Sequence, residues 1–317
     1  MKKITLLFVL FCAANVFAQP KIIFDTDFGG DSDDLGALAM LHHFVDTGEC
    51  ELLAVVFTEP EIHGVSAIDA VNRFYGHPDI PIGARLGEDY YNDWFYSKAI
   101  ADRFPHEMSK NDAIEATELY RKILSAADDH SITIVTVGPL VNIRNLLQSP
   151  RGKELIEQKV KEFVIMGGQF PEGKWEANFA GFHMPGLTQF VIQNINVPIT
   201  FLGYEIGVKI KTGKGISNPD TPLYVGYMHF FEHAPWIKKY FKGTMRNNAS
   251  YDQTAVLYAV RGGIGTWWDR SAPGNCLPDE KGGNRWVDDP VGTHTYLQLT
   301  ANPAELALLI ESIMLQP

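Results

Sequence analysis

Five aspartates, Asp25, Asp27, Asp31, Asp33 and Asp34, crowd into ten positions of the stretch FDTDFGGDSDDLGAL. Such crowding is electrostatically unfavourable unless a cation or protons compensate it. If Asp25 and Asp27 sit at a strand end, their side chains share a face because strand side chains alternate. Phe28-Gly29-Gly30 then lets the chain turn back, so that Asp33 and Asp34 approach Asp27 across the loop. Carboxylate oxygens converging with a backbone carbonyl and waters form a site for a hard divalent cation, calcium above all.

Plainer explanations account for less. Ser32 or Asp33 capping the next helix explains one aspartate, not five. A solvated acidic loop would not normally be wedged between an apolar strand and an apolar helix. The segment is no EF-hand, because it follows a strand and has no glutamate at the twelfth loop position. An aspartyl-nucleophile phosphatase also carries Asp-x-Asp after its first strand, but the tandem Asp33-Asp34 has no task in one.

The elements that must position these groups alternate along the chain. Lys21 to Phe24, Leu52 to Phe57, Ile132 to Val137, Val160 to Met166 and Pro198 to Leu202 are continuous apolar, strand-like runs. Helical patterns separate them: Leu35 to Phe44, Ala67 to Tyr75, Asn111 to Ala127, Val141 to Leu147 and Leu187 to Gln193. This order predicts an α/β fold with a mostly parallel open sheet flanked by helices. Ligands in such folds lie outside the carboxyl ends of the strands, which directs attention to the loops after Phe24, Phe57, Val137, Met166 and Leu202. Beyond Gly203 the pattern loosens into an aromatic-rich helical piece, Tyr224 to Tyr240, and a helical segment, Thr254 to Val260, opening behind Asp252. A Gly-, Trp- and Asp-rich stretch follows at Gly262 to Asp289. The chain ends with strand-like Thr295 to Leu299 and a helix from Ala304 to Met314.

The 317 residues, 45% of them apolar, suffice for one large core. Residues 1–18, with Lys2, Lys3, an apolar run and small residues at Val16 and Ala18, read as a secretory signal peptide. That leaves residues 19–317 as a single catalytic domain, periplasmic or secreted. The apolar run is too short for a membrane span, which needs roughly 18 residues or more. A formal net charge of −11 argues against a nucleic-acid polymer as partner. Cys50 and Cys276 remain after processing; whether they pair depends on their separation in space.

The chain resembles the inosine-uridine-preferring nucleoside hydrolase family, whose opening signature is Asp-x-Asp-x-Gly-x-Asp-Asp. Here the loop from Asp25 to Asp34 is two residues longer. Further matching pieces are Val135-Thr136-Val137-Gly138-Pro139-Leu140-Val141-Asn142, Val164-Ile165-Met166-Gly167-Gly168, Glu176-Ala177-Asn178-Phe179 and Asp252 before an apolar helix. The resemblance implies that Asp27, Asp34, the main-chain carbonyl of Val137 and Asp252 ligate calcium. It implies that Asp33 is the general base and that Glu176 and Asn178 hold the ribose hydroxyls. The reaction implied is calcium-dependent hydrolysis of a ribonucleoside N-glycosidic bond by direct attack of water. A homo-dimer or homo-tetramer is implied as well.

Three departures from the family bear on the substrate. Tyr251 stands where a histidine often protonates the departing base, and with a reference pKa near 10 it is a poorer acid at neutral pH. Thr58 to His63 carries no sugar-binding asparagine after the second strand, and neither does Gln169 to Lys174. Tyr251 and Trp175 are candidates to cover the base or sugar, Glu205 is a pocket candidate after a strand end, and His63, His183 and His294 are candidate leaving-group acids. The readings left open are a ribonucleoside hydrolase, a hydrolase of another N-ribosyl or N-glycosyl compound, and a calcium-dependent ribose or nucleoside binding protein without turnover.

Overall fold

The computed structural model describes residues 19–87 and 89–316. The expected leader therefore lies outside the described residues. No helix among them is long and apolar enough to cross a membrane.

Eight parallel strands form the body of a twelve-stranded mixed sheet, an α/β fold. In spatial order they are Ile114–Glu115, Ile82–Ala84, Glu51–Phe57, Lys21–Thr26, Ile132–Thr136, Val160–Met166, Ile199–Leu202 and His294–Leu299. Both faces are covered. Ile22 and Phe24 of the first strand point into a core shared with helices Asp33–Asp46, Gly64–Phe74, Pro222–His233, Tyr251–Arg261 and Pro303–Met314. Ile23 points the other way, into a core built with helices Ala116–Ala126, Val141–Gln148, Gly152–Lys159 and Leu187–Asn194. Burial on both sides is the physical reason these strands read as unbroken apolar runs.

Several elements differ from the sequence expectation. Asn111 to Ala127 is not one helix: a short 3-10 turn, Lys110–Asp112, and the two-residue edge strand Ile114–Glu115 precede helix Ala116–Ala126. Tyr224 to Tyr240 is divided too, into helix Pro222–His233 and a 3-10 turn at Lys238–Tyr240. The Gly- and Trp-rich stretch extends the sheet through antiparallel strands Trp268–Arg270, Gly274–Pro278 and Asn284–Asp288. Cys50 and Cys276 are both free and buried.

Chain order reverses at the first strand, which has Glu51–Phe57 on one side and Ile132–Thr136 on the other. At its carboxyl end Thr58 N donates to Thr26 O at 2.9 Å and Val137 N donates to Asp25 O at 2.8 Å, after which the backbones part. The crevice so opened is the topological switch point of the sheet, where such folds bind ligands.

Candidate metal and sugar site

Strand Lys21–Thr26 delivers the aspartates to that crevice, but it does not use them alike. Asp25 turns into the second core, where Thr58 Oγ1 and Tyr120 OH donate to it, each at 2.7 Å, and Asn142 Nδ2 donates at 3.1 Å. Asp27 lies past the strand end and lines the cavity. The expectation that the two carboxylates share one face thus gives way, because the strand stops at Thr26. Asp25 braces the loop and Asp27 faces the ligand space.

Asp33 and Asp34 open helix Asp33–Asp46, and Asp252 lies in the first turn of helix Tyr251–Arg261. Those helices pack closely because of Gly36. A Cβ there would lie 2.8 Å from Tyr227 OH and would also press on Gln253. The approach brings carboxylate oxygens of Asp33, Asp34 and Asp252, all buried, within 4.8 Å of one another. Oxygens on opposite sides of one calcium ion lie on the order of 5 Å apart, so this donor set fits a single hard cation. Ser32 contributes no side-chain cap to its helix.

The electrostatics agree. Burial foremost, then neighbouring carboxylates, holds Asp33, Asp34 and Asp252 well above the usual carboxylate range. Burial, with Glu176, Asp31 and Asp25 adding to it against a backbone hydrogen bond, pushes Asp27 up to about 7. Carboxylates held like this in a metal-free fold are what a divalent charge relieves. Asp33 is fixed by backbone: Tyr251 N and Asp252 N donate to its Oδ2 at 3.2 and 3.4 Å. Asp34 Oδ1 accepts from the Thr26 hydroxyl. The additional aspartate of the long loop, Asp31, accepts from Ser32 N at 2.6 Å and from Asn248 Nδ2 at 2.5 Å.

Across the crevice, Val137 O accepts from Asn178 Nδ2 at 2.7 Å. The residue after it must lack a side chain. A Cβ on Gly138 would stand 2.8 Å from Asp27 Oδ1 and 2.9 Å from its Cβ. Gly138→Ala is therefore expected to weaken divalent-cation binding about tenfold or more, the usual scale when the support of a metal ligand is disturbed, while the chain stays folded. Calorimetric titration with calcium, with circular dichroism as control, measures both. Unchanged affinity would count against Asp27 as part of the site.

Glu176 and Asn178 meet the same space. Glu176 caps the short helix Ala177–Ala180 by accepting from Asn178 N and Phe179 N at 3.0 Å each, and Gly168 N donates to it at 2.9 Å. Asn178 is held by its amide nitrogen to Val137 O and Met166 O, which leaves its Oδ1 without a protein donor among the described hydrogen bonds. Tyr251 stacks on Tyr204 with ring centroids 5.4 Å apart. Trp175 lines the cavity and is 62% exposed.

Other sequence candidates lie elsewhere. Glu205 is outside the cavity lining, and its Oε2 accepts from Phe170 N at 3.1 Å, a backbone-bracing position in place of the pocket position expected. None of the three candidate histidines lines the cavity. His63 Nδ1 lies 2.9 Å from Glu61 Oε1, His183 is exposed in its turn, and His294 Nδ1 accepts from Cys276 N.

The cavity measures about 570 Å³ and has lining residues the sequence reading did not single out. Glu59 is one; burial, with Asp27 next, pushes it up to about 8, opposed by the charge of Arg85. Tyr90, Trp94, Phe95, Tyr204 and Trp236 are the others of note. Glu59 and Tyr204 follow strand ends, so the strand-end rule had already marked their loops. Trp94 and Trp236 come from connections with no such signal, and only folding brings them over the crevice.

Residues 22–276 match the sequence model of the inosine-uridine preferring nucleoside hydrolase family. Over 136 residues the chain is 29% identical to the pyrimidine-specific ribonucleoside hydrolase RihA of an Enterobacter species, covering 40% of this chain and 42% of that protein. Over 125 residues it is 30% identical to RihA of Photobacterium profundum, covering 37% and 39%. The chain spans about two fifths of the length of these curated relatives. The fold is similar to the type III effector protein XopQ, solved in complex with adenosine diphosphate ribose, and to the effector protein XOO4466. Each has a TM-score of 0.64 at 14% identity, over 94% of this chain and 93% of that one.

Proposed function

This chain belongs to the inosine-uridine preferring nucleoside hydrolase family, and from that premise we propose that it is a calcium-dependent hydrolase of ribosyl N-glycosidic bonds, releasing the sugar and the free base. The observation that carries this reading is the convergence of Asp33, Asp34 and Asp252 beneath a cavity large enough for a nucleoside.

Asp27, Asp34, Asp252 and the Val137 carbonyl are the groups proposed to hold calcium. Such an ion supplies a fixed positive charge that orients a sugar diol and makes a neighbouring water more acidic. Asp33 accepts the proton of the attacking water. Its carboxylate is held by two backbone N–H groups, so it need not reorganise as the bond to carbon forms. Glu176 and Asn178 take the sugar hydroxyls, and their side chains are already locked by backbone contacts. Departure of the base leaves an oxocarbenium-like ribosyl group, which the carboxylates around it stabilise. Trp175, Tyr204 and Tyr251 lie where they can cover the base. We propose further that residues 1–18 direct export and are removed, and that the mature chain forms a homo-oligomer.

A panel of purine and pyrimidine ribonucleosides, assayed for reducing sugar with calcium and after chelation, tests the reading. Calcium-dependent sugar release is expected for at least one of them. Nucleoside binding without any sugar release would instead make this a binding protein, and release of inorganic phosphate from phosphorylated substrates would indicate a phosphatase.

A further inference from the structure

We propose that the base-binding half of the cavity is built for a cationic leaving group, so that the substrate class is an N-ribosyl pyridinium or another quaternary N-glycoside. The proposal rests on the glycosidase reading above and narrows its substrate.

The charge of the wall is one-sided. The titratable side chains of the lining are carboxyl groups and tyrosines, with Glu59 among the carboxyls, whereas no lysine, arginine or histidine lines the cavity among the described residues. Lys211 acts electrostatically on Asp31 and Arg85 on Glu59, and neither lines the cavity. One divalent ion balances two of the carboxyl groups, and no basic side chain of the lining balances the others. A phosphorylated ligand would meet like charge here; a cation would meet opposite charge.

Above the carboxylates the wall is aromatic. Trp94 and Trp236 meet edge to face at 4.9 Å, Tyr204 and Tyr251 stack, and Tyr90 and Trp175 complete the rim. Trp175 and Trp236 remain 62% and 50% exposed. Large rings kept in contact with water around a cavity mark a ligand surface, and aromatic faces attract cations.

Leaving-group chemistry points the same way. A neutral base departs as an anion unless it is protonated, and among the described residues the lining provides no imidazole, ammonium or guanidinium to do so, which leaves a carboxyl such as that of Glu59, pushed by burial up to about 8, to serve as the acid. An N-ribosyl pyridinium needs no acid. The C1′–N bond breaks with both electrons going to the ring nitrogen, which becomes neutral. The water oxygen bonds to C1′, and the water proton passes to Asp33 and then to solvent. The products are ribose, a neutral pyridine and one proton.

Two measurements on the calcium-loaded protein test this. Binding of 1-methylnicotinamide, methylated on the ring nitrogen and therefore a pyridinium cation, is compared with that of neutral nicotinamide through quenching of tryptophan fluorescence. Hydrolysis of N-ribosylnicotinamide is compared with that of uridine and inosine, each divided by its uncatalysed rate. The cation is expected to bind about tenfold more tightly than the neutral ring, with Trp236→Leu removing most of that difference, and N-ribosylnicotinamide to show the largest acceleration. Equal affinity of the two rings overturns the proposal, whatever the turnover. Equal or larger acceleration of the neutral nucleosides overturns it too and makes a lining carboxyl, with Glu59 foremost, the acid for the departing base. If no glycoside yields sugar at all, the hydrolase reading fails, and the ring-binding comparison still decides the charge preference.

Discussion

Asp33→Asn is expected to lower turnover by about a thousandfold while divalent-cation affinity falls far less. The amide keeps the size of the side chain and an oxygen acceptor for the N–H groups of Tyr251 and Asp252. It removes the one property the reaction needs, which is the capacity to accept a proton from water. Asp34→Asn should behave differently, losing cation affinity first and turnover as a consequence. The pair separates two roles that adjacent residues on one helical turn otherwise confound. Initial rates of sugar release and calcium titrations on both variants provide the comparison. Turnover of Asp33→Asn near that of the parent protein would reassign the base.

Removing divalent cations should abolish sugar release and lower the melting temperature by roughly 4–5 °C, since a ligand at one hundred times its dissociation constant stabilises by about 2.7 kcal/mol and a chain of this size shifts by about 1.6 °C per kcal/mol. The pH dependence has a definite sign. In the metal-free fold, burial raises Asp25 and Asp31 to about 6 and Asp27 to about 7, above the value near 4 of an unfolded aspartate. The folded state therefore holds protons that the unfolded state has released. That contribution is complete below pH ~4 and is lost as pH rises through about 6 to 7. The chelated protein should melt at progressively lower temperature from pH 5 to pH 8. Added calcium should raise the melting temperature more at pH 8 than at pH 5, because at acid pH protons compete for the same oxygens. A chelated protein that gains stability across this range would show that the cluster is not the group of uncompensated buried carboxylates described above.

Which loops to inspect followed from the order of apolar runs, because a parallel sheet buried on both faces leaves little else for such runs to be, and all its carboxyl ends fall on one edge. The Asp-x-Asp start and the tandem Asp33-Asp34 were legible for a related reason: five like charges beside an apolar strand need a cation or protons to compensate them. Glu205 lies outside the cavity lining although its loop adjoins it, because a loop after a strand end specifies neighbourhood and not direction. Its carboxylate turned to a free backbone N–H at Phe170, a local demand that nothing in the residue order reveals.

Residue order alone determined the fold class, the crowding of acidic groups that could hold a metal, and the segment at the end of the first strand that carries it, since these depend on local periodicity and on charges close together along the chain. Folding decided the rest. Asp252 meets Asp33 and Asp34 only because Gly36 lets two helices touch, and Asp25 parts from Asp27 only because the strand ends one residue before the second. The aromatic rim is assembled from connections far apart in sequence. Contacts of that kind are set by packing at long range, where no spacing in the chain records which side chain will face which.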